Sequence, residues 1–200
     1  MKSSGQKIIP PEILLNAYSQ GIFPMSESRD DTGVGWYSSR VRGIIPMDSF
    51  RVSSNIKRII RQGRFECRVN TCFRRVVEEC ADRNSTWISE LIINSYEVLH
   101  LARHAHSVEM FDREGNLAGG LYGVTLGAAF FGESMFRHQK EADKAALWHC
   151  NEILQKNGFI LWDTQFYTEH LAQFGCVRIS RDEYSRLLKN ALMKEVSFKF

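Results

Sequence analysis

The pattern of apolar and polar positions predicts that helices dominate the first half of the chain. Apolar residues recur at helical spacing in PPEILLNAYSQG, in SNIKRIIRQ, in CFRRVVEECADR and in a segment from about Ile88 to His104. Ser53 or Ser54 can cap the second of these helices, and Gly21 and Gly63 are stop signals. FECRVN alternates like a strand. The stretch 22–46 is turn-rich, and we expect it to be irregular.

The second half of the chain has a strand-rich pattern. Three strands are predicted at SVEMF, LAGGLYGV and GAAFFGESM, with turns at DREGN and at Thr125–Gly127. A helix EADKAALWHCNEILQKN, a strand FILWDTQ, a short helix TEHLAQF, a strand CVRI and a helix from about Arg181 to Leu192 follow. The order β-β-β-α-β-α-β is that of an N-acyltransferase sheet, so we predict an α+β fold.

Composition indicates one globular domain. The chain has 200 residues, of which 44% are hydrophobic and 24% charged. No apolar run approaches the roughly 20 residues that span a bilayer, and MKSSGQKIIPPEILL lacks the apolar core of an export signal. We therefore expect no membrane association and a cytoplasmic location. The five cysteines form no C-x-x-C, which favours buried, inert thiols.

The positive charge is concentrated in one segment. Residues 51–75 have a net charge of +7, which leaves −4 for the rest of the chain. A polyanionic partner with phosphates explains this asymmetry, and a solvated basic face explains it equally well. The basic residues are Arg51, Lys57, Arg58, Arg61, Arg64, Arg68, Arg74 and Arg75, opposed by Glu66.

Several kinds of site are disfavoured by the motifs. GESMF lacks the second glycine of a serine-hydrolase elbow, and the chain has no phosphate-binding G-x-x-x-x-G-K-[ST] loop. HLARHAHSVE crosses a helix end, so we do not expect its histidines and Glu109 to converge on a metal. In the segment 137–142, Lys140 replaces the glycine that a coenzyme A pyrophosphate needs, and Glu141 repels phosphate.

Three polar side chains are candidates for chemistry. We expect Glu133 to close one strand, and Asp163 and Gln165 lie two residues apart on the next. If these strands are neighbours, the three side chains line one cleft and can accept hydrogen bonds from an amine. The alternative is that they only brace a loop. Stacking surfaces are available from Trp36, Tyr37, Trp87, Phe130, Phe131 and Phe136.

Several stretches together carry a family resemblance from about residue 11 to residue 190. They are AYSQGIFPM, TWI at 86–88, HAHSVE at 104–109, GGLYGVTLG, FFGESMF, DKAAL, and DTQ followed by HLAQFG. The chain resembles the bacterial leucyl/phenylalanyl-tRNA–protein transferases. The resemblance implies a GNAT-like, mostly antiparallel sheet flanked by helices at 64–200. A small helical and irregular N-terminal portion, without the family's G-G-D-L signature, is expected at 1–63. It also implies that neither a metal nor another cofactor is used.

The resemblance further implies a reaction. Leu or Phe is transferred from the 3′ end of an aminoacyl-tRNA to the N-terminal amine of an acceptor protein beginning with Arg or Lys, which marks it for the N-degron pathway. We expect the enzyme to be a monomer. Asp163 is expected to orient Gln165, Gln165 to bind the amine, and Glu133 to hold cationic groups of the acceptor or to order the aminoacyl-adenosine end.

Binding residues are also implied by the resemblance. The aminoacyl-adenosine is assigned to Trp36, Trp87, Val124, Phe130, Met135 and Thr168. The acceptor stem of the tRNA is assigned to Lys57, Arg58, Arg61, Arg64, Arg74 and Arg75.

Two segments depart from the family pattern and leave alternatives open. GWYSSR at 35–40 stands for W-W-S-P-D-P-R, and RHQKEADK at 137–144 stands for S-R-x-x-x-A-S-K. The same fold and chemistry with another donor or acceptor, such as an Arg donor or acidic N-termini, is one alternative. A non-catalytic RNA-binding protein and a coenzyme A-dependent N-acyltransferase are the others.

Overall fold

The structure, a computed structural model, describes residues 7–200. The segment that we used to judge export signals begins at residue 1, so part of it lies outside the described residues. The helices are α1 (Pro11–Ser19), α2 (Ser54–Arg61), α3 (Phe73–Ala81), α4 (Glu90–Leu101), α5 (Ala142–Lys156), α6 (Glu169–Ala172) and α7 (Arg181–Leu192). The strands are β1 (Phe23–Met25), β2 (Gly35–Tyr37), β3 (Val41–Ile44), β4 (Glu66–Val69), β5 (Ala105–Phe111), β6 (Leu117–Leu126), β7 (Ala129–Arg137), β8 (Leu161–Gln165) and β9 (Val177–Ser180).

Within residues 7–200, seven strands form a large sheet in the order β4-β5-β6-β7-β8-β3-β9. All neighbouring pairs are antiparallel except β7 and β8, which are parallel and are connected through α5. A parallel pair needs such a crossover because its two strands begin at the same end of the sheet. The prediction of a mostly antiparallel sheet flanked by helices is confirmed.

The sheet opens between β7 and β8. Their pairing ends at Phe131 and Asp163, although both strands continue further. At this level the register of β6 against β7 skips Glu133, and that of β3 against β8 skips Thr164. An extra residue of this kind is a β-bulge, which bends the strand and turns a side chain in a new direction. The two bulges flank the gap between β7 and β8.

Helices cover both faces of the sheet. The first core lies under α1, α3, α4 and α7 and contains Tyr18, Val76, Tyr96 and Phe131. The second core lies under α2 and α5 and contains residues such as Ile56, Phe130, Leu147 and Trp162. Alternate residues of each strand therefore contribute to opposite cores, as expected for a sheet that is buried on both faces.

Most predicted elements of the second half are confirmed, and the main error lies in 22–46. This stretch is not irregular, since it contains β1, β2 and β3. β1 and β2 form a small hairpin, whereas β3 lies in the large sheet between β8 and β9. A smaller correction concerns α4, which begins at Glu90 rather than Ile88. Ser53 caps α2 by accepting the Ile56 N–H, as predicted.

Two expectations drawn from the composition, on the cysteines and on membrane-spanning segments, can be compared with the structure. The five cysteines are free thiols, and each is buried or partly buried. In the part of the chain that the structure describes, no helix combines the length and the apolar character that a membrane crossing needs.

Candidate active site

Asp163 lies in a saturated, buried network. The Arg42 guanidinium donates from Nε to Asp163 Oδ1 at 2.9 Å and from Nη2 to Oδ2 at 2.7 Å. The Tyr184 hydroxyl donates to Oδ2 at 2.6 Å, and the backbone N–H of Gln165 donates to Oδ1 at 2.7 Å. Both charged residues are almost fully excluded from solvent, with 1% exposure for Arg42 and 0% for Asp163. Asp163 thus fixes the backbone of Gln165 and has no free lone pair for a substrate.

Arg42 is held in turn by the N-terminal part of the chain. Its Nη1 donates to the carbonyl of Gly21 at 3.0 Å, and its guanidinium stacks over the rings of Phe23 and Tyr184. Arg42 belongs to β3, within the stretch that we predicted to be irregular. The sequence analysis therefore missed it as a site residue, although a lone arginine in the apolar run VRGII was the available signal.

Gln165 ends β8 in a backbone conformation that non-glycine residues rarely adopt. Its φ is 57°, in the left-handed region. Gly43 lies opposite, where a Cβ atom would come within 2.6 Å of the carbonyl carbon of Phe166, so the chain after Gln165 can pass closely over β3. The Gln165 side chain donates from Nε2 to Glu133 Oε1 at 2.8 Å. Among the described residues, nothing donates a hydrogen bond to its carbonyl oxygen Oε1.

Glu133 is the bulged residue of β7. The prediction that it closes the strand is wrong, because β7 continues to Arg137. The hydrogen bond from Gln165 confirms that these two side chains meet, whereas Asp163, which we also expected to line the cleft, is fully buried against Arg42. Tyr18 from α1 donates to Glu133 Oε1 at 2.7 Å, and Tyr96 from α4 donates to Oε2 at 3.3 Å. The sequence analysis did not identify these tyrosines, although Tyr18 lies in the matching stretch AYSQGIFPM.

The pKa of Glu133 reflects opposing influences. Burial and the nearby charge of Asp163 raise it, whereas the hydrogen bonds from Tyr18, Tyr96 and Gln165 lower it. The net effect raises the pKa of Glu133 to about 7. Glu133 can therefore exchange a proton near neutral pH, as an acid–base group must.

An apolar cavity of about 100 Å³ adjoins Glu133 in the gap between β7 and β8. For comparison, an apolar cavity of about 150 Å³ takes up benzene. A cavity of this size and character suits one apolar side chain. Its apolar lining consists of Leu121, Phe130, Met135, Leu147, Trp162 and Leu171.

The expected aminoacyl-adenosine residues are only partly brought together. Phe130 and Met135 line the cavity, but Val124 packs in the first core on the other face of the sheet, which corrects its assignment to the pocket. Thr168 caps α6 by accepting the N–H of Leu171, which is itself a lining residue. Trp36 is 43% exposed on β2, and Trp87 packs partly against the first core.

The predicted tRNA-binding residues lie on two faces of the molecule. Lys57, Arg58, Arg61 and Arg64 are exposed on α2 and just after it, on the side of the second core. The other two, Arg74 and Arg75, belong to α3, which packs on the side of the first core. The segment 51–75 is therefore continuous in sequence but does not form a single basic surface.

Arg74 differs from the other predicted tRNA-binding residues. Its guanidinium forms ion pairs with Glu97 at 2.6 Å, Glu78 at 2.8 Å and Glu90 at 3.0 Å. Three carboxylates thus compensate its charge and connect α3 to α4. Arg75 has a weaker contact, 3.7 Å from Glu79. This arrangement makes Arg74 a structural cation rather than a free phosphate ligand.

Side chains of the histidine-rich segment HLARHAHSVE at 100–109 make contacts that support the fold. Glu109 accepts hydrogen bonds from the backbone N–H groups of Thr71 and Cys72 at the start of α3, and from Ser107 Oγ. His106 stacks on Phe198. In residues 7–200, no group of three or more His, Cys, Asp or Glu side chains is arranged to hold a metal ion.

Comparisons with known proteins extend over nearly the whole chain. Residues 44–189 match the family described as leucyl/phenylalanyl-tRNA protein transferase, and residues 8–40 match the N-terminal domain of that family. The leucyl/phenylalanyl-tRNA–protein transferase of Cereibacter sphaeroides is 49% identical over 191 residues, which cover 95% of this chain and 88% of the relative. That of Ruegeria pomeroyi is 48% identical over 190 residues, covering 95% and 90%.

A solved structure shares the fold without close sequence similarity. L-PGS from Bacillus licheniformis matches with a TM-score of 0.50 and 10% identity, over 91% of this chain and 70% of that one. By the family match and the identity to its relatives, the chain belongs to the leucyl/phenylalanyl-tRNA–protein transferase family.

Proposed function

We propose that the gap between β7 and β8 is the site of aminoacyl transfer from tRNA to a protein N-terminus. As a member of its family, the chain is an aminoacyltransferase. The observation that carries the proposed site is the Glu133–Gln165 hydrogen bond beside an apolar cavity. This bond fixes the amide of Gln165, so that its carbonyl oxygen is available to an incoming amine.

The cavity holds the side chain of the transferred amino acid. Its lining is mostly apolar, with Glu133, Ser134 and Thr164 as the polar members, and its volume of about 100 Å³ suits the side chain of Leu. Phe, whose ring is the size of benzene, needs the lining to widen. An arginine donor would place a guanidinium in this mostly apolar cavity, where the carboxylate of Glu133 is already hydrogen-bonded to neighbouring side chains, at a high desolvation cost. The cavity therefore favours Leu or Phe over Arg as the donor residue.

In the proposed reaction the acceptor amine binds at Gln165 Oε1, beside Glu133, and leaves the hydrogen bond from Gln165 to Glu133 intact. Gln165 Oε1 accepts one of its N–H groups, and Glu133 takes the proton that the ammonium must lose, since its pKa of about 7 is close to that of an α-amine. The amine nitrogen then attacks the ester carbonyl carbon. The bond between this carbon and the ribose oxygen of the terminal adenosine breaks, and the oxygen takes the proton from Glu133. Glu133 then takes the second proton of the former amine as the amide forms, and it releases this proton to solvent.

The tRNA is bound outside this cavity in our proposal. Trp36 and Trp87 stack on the terminal adenosine, with Thr168 nearby. Lys57, Arg58, Arg61 and Arg64 contact phosphates of the acceptor stem, which hold the tRNA without reading its sequence. Arg75 is a weaker candidate, and Arg74 is left out because its three carboxylate partners compensate its charge.

Further parts of the proposal concern the fold and the biological setting. A GNAT-like domain is supported by the element order from β5 to β9 and by the parallel β7–β8 pair that opens beyond its third residue. We propose acceptors that begin with Arg or Lys, entry of the product into the N-degron pathway, a monomeric enzyme and a cytoplasmic location, where aminoacyl-tRNA is made.

The coenzyme A-dependent alternative has an observation against it. A pyrophosphate would bind at the N-terminus of α5, but Glu141 and Asp143 place two buried carboxylates there. Lys144 pairs with Glu141 at 2.8 Å and Arg137 lies 3.5 Å from Asp143, so these cations are already engaged and the carboxylates disfavour an added phosphate.

Transfer of labelled Leu, Phe and Arg from their tRNAs to peptides beginning with Arg, Lys, Asp or Glu tests the proposal. We expect Leu and Phe to reach only the basic peptides. A Gln165→Ala variant should retain tRNA binding and lose transfer. Transfer of Arg, or wild-type rates from Gln165→Ala, would contradict the proposed site. If neither the wild type nor the variant transfers an amino acid while both still bind tRNA, the chain would instead be an RNA-binding protein.

A further inference from the structure

Two buried tyrosines from separate helices meet at the Glu133 carboxylate. Tyr18 and Tyr96 are both 0% exposed, and their hydroxyls are hydrogen-bonded to each other as well as to Glu133. α1 and α4 carry them to the same point from positions 78 residues apart in the chain. Packing alone needs only the rings at such a position. The hydroxyls add polar groups whose burial is costly unless they are hydrogen-bonded.

The hydrogen bonds around Glu133 can hold it as a carboxylate. The Gln165 amide and the Tyr18 hydroxyl donate to Glu133 Oε1, at 2.8 Å and 2.7 Å. The Tyr96 hydroxyl lies 3.3 Å from Oε2 and also contacts the Tyr18 oxygen, so its single proton is shared between these two acceptors. In a protonated Glu133, Oε2 would have to donate to the Tyr96 oxygen instead of accepting from it. Hydrogen bonds to the charged form stabilise that form.

Other ionisable groups also face Glu133 and are part of its electrostatic setting. Asp163 on β8 opposes ionisation, whereas Arg42 on β3 compensates much of that charge. Tyr122 on β6 is buried edge-on to Tyr96, and its hydroxyl has no hydrogen-bond partner among residues 7–200. Arg83, in the loop before α4, donates to the Ser134 hydroxyl beside Glu133.

We propose that Tyr18 and Tyr96 are positioning residues of the transfer reaction: they hold Glu133 as the carboxylate that orients the Gln165 amide towards the acceptor amine. This inference rests on the proposed function of the site. The two tyrosines act through Glu133 and do not contact the substrate. Their hydroxyls therefore set the pH at which Glu133 loses its proton, and with it the lower pH limit of transfer.

Three matched variants test this role. Tyr18→Phe and Tyr96→Phe each remove one hydroxyl from Glu133, whereas Tyr122→Phe removes a neighbouring buried hydroxyl that has no hydrogen-bond partner in the described part of the chain. The charge state of Glu133 is followed by the carboxyl ¹³C shift in protein labelled at glutamate, with the signal assigned by its absence in Glu133→Gln. The pH dependence of kcat/KM for Leu transfer is measured on the same variants.

We expect the Glu133 titration to move upwards by about half a pH unit or more in Tyr18→Phe, because a donor to the charged form is lost. Tyr96→Phe should shift it in the same direction, and the acid limb of kcat/KM should follow in both. Tyr122→Phe should leave the Glu133 titration and the pH of the acid limb at their wild-type positions, whereas the absolute kcat/KM can change because Tyr122 also lines the cavity. This pattern separates a hydroxyl effect from a packing effect, since all three changes keep the ring.

Two results would overturn the inference alone. One is a Glu133 titration that is unchanged in both Tyr18→Phe and Tyr96→Phe. The other is a shifted titration with an unshifted acid limb, which would show that the charge on Glu133 does not govern transfer. The titration needs no substrate, so it remains measurable if the wild-type protein shows no transfer, and that outcome would overturn the proposed function together with this inference.

Discussion

Replacing Arg42 with methionine tests the ion pair that organises the site. The variant leaves Asp163 without the guanidinium that donates to both of its oxygens, at a place where the carboxylate is 0% exposed. Methionine fills much of the volume of the arginine stem, so the main effect is electrostatic. Because an uncompensated buried charge remains, we expect the free energy of unfolding to fall by about 3–5 kcal/mol.

A second variant separates charge from packing. Asp163→Asn combined with Arg42→Met removes the stranded charge but keeps an oxygen that can accept the Gln165 N–H. We expect the double variant to be more stable than Arg42→Met alone by about 2 kcal/mol, within the range of coupling energies for residues in contact. Arg178→Met is the matched control. Arg178 is exposed and stacks on Tyr167, so its loss should cost about 1 kcal/mol or less.

Urea unfolding followed by tryptophan fluorescence measures all three variants, since Trp162 precedes Asp163 on β8. A loss below about 1 kcal/mol for Arg42→Met would refute the reasoning, because it would show that the buried Asp163 carboxylate does not depend on Arg42. A double variant less stable than the single one would refute it as well. In that case the arginine would stabilise the fold through packing rather than through charge.

Three further predictions follow from the site and its surroundings. Burial raises the pKa of Glu133 to about 7 from its ordinary 4.5, so its ionisation costs folding stability as the pH rises through this interval. Glu133→Gln removes that cost. Between pH 4.5 and pH 8, the free energy of unfolding of this variant, measured with urea, should therefore rise by up to about 3 kcal/mol relative to that of the wild type. A difference between variant and wild type that does not change with pH would contradict the raised pKa. In Gly43→Ala the new Cβ would lie 2.6 Å from backbone atoms of Phe166 and Tyr167. Single-turnover transfer should therefore slow by about 10- to 100-fold while tRNA binding is retained. An unchanged rate would show that the chain after β8 can move freely. Charge reversal at Arg58 and Arg61 should weaken tRNA binding and make the slope of log K against log salt less steep by about 1.8. The control Lys189→Glu on α7 should leave this slope unchanged. Equal effects of the two changes would mean that only the net charge of the protein matters.

The elements of the second half could be predicted because their signals are local. Strands of seven to ten residues and a long amphipathic helix show clear periodicity, and a D-x-Q pair on one strand is visible without a structure. The neighbouring positions of β7 and β8 followed from the element order. The meeting of Glu133 with Gln165 could therefore be anticipated from the sequence.

The bulge at Glu133 could not be anticipated. It lets Phe130 and Met135, five residues apart, face the same cavity, whereas strict alternation would place them on opposite faces. Strict alternation also gives no reason for Glu133 to reach the tyrosines. A bulge depends on the register of the partner strand, which no single segment encodes.

The N-terminal strands were missed because their signals are not local. β1, β2 and β3 have three or four residues each, too few for a period to appear. The partner that defines β3 is β8, and Arg42 is 121 residues away from Asp163 along the chain. Likewise, the charge count over 51–75 could not show that α2 and α3, which are separated by β4, lie on opposite faces of the sheet.

The position of β3 between β8 and β9 has a consequence for how the protein is made. β3 leaves the ribosome early, yet both strands that flank it are among the last to be synthesised. Arg42 can form its ion pair only after Asp163 has been synthesised, and Tyr18 can bind Glu133 only after that residue has been synthesised. The site between β7 and β8 therefore cannot assemble until the final fifth of the chain has emerged from the ribosome. Contacts that span so much of a chain also form slowly. A polypeptide cut short before β9 would retain its two long hairpin strands but would lack Tyr184, a donor to Asp163, and it would expose an unpaired edge of β3 of the kind that promotes aggregation.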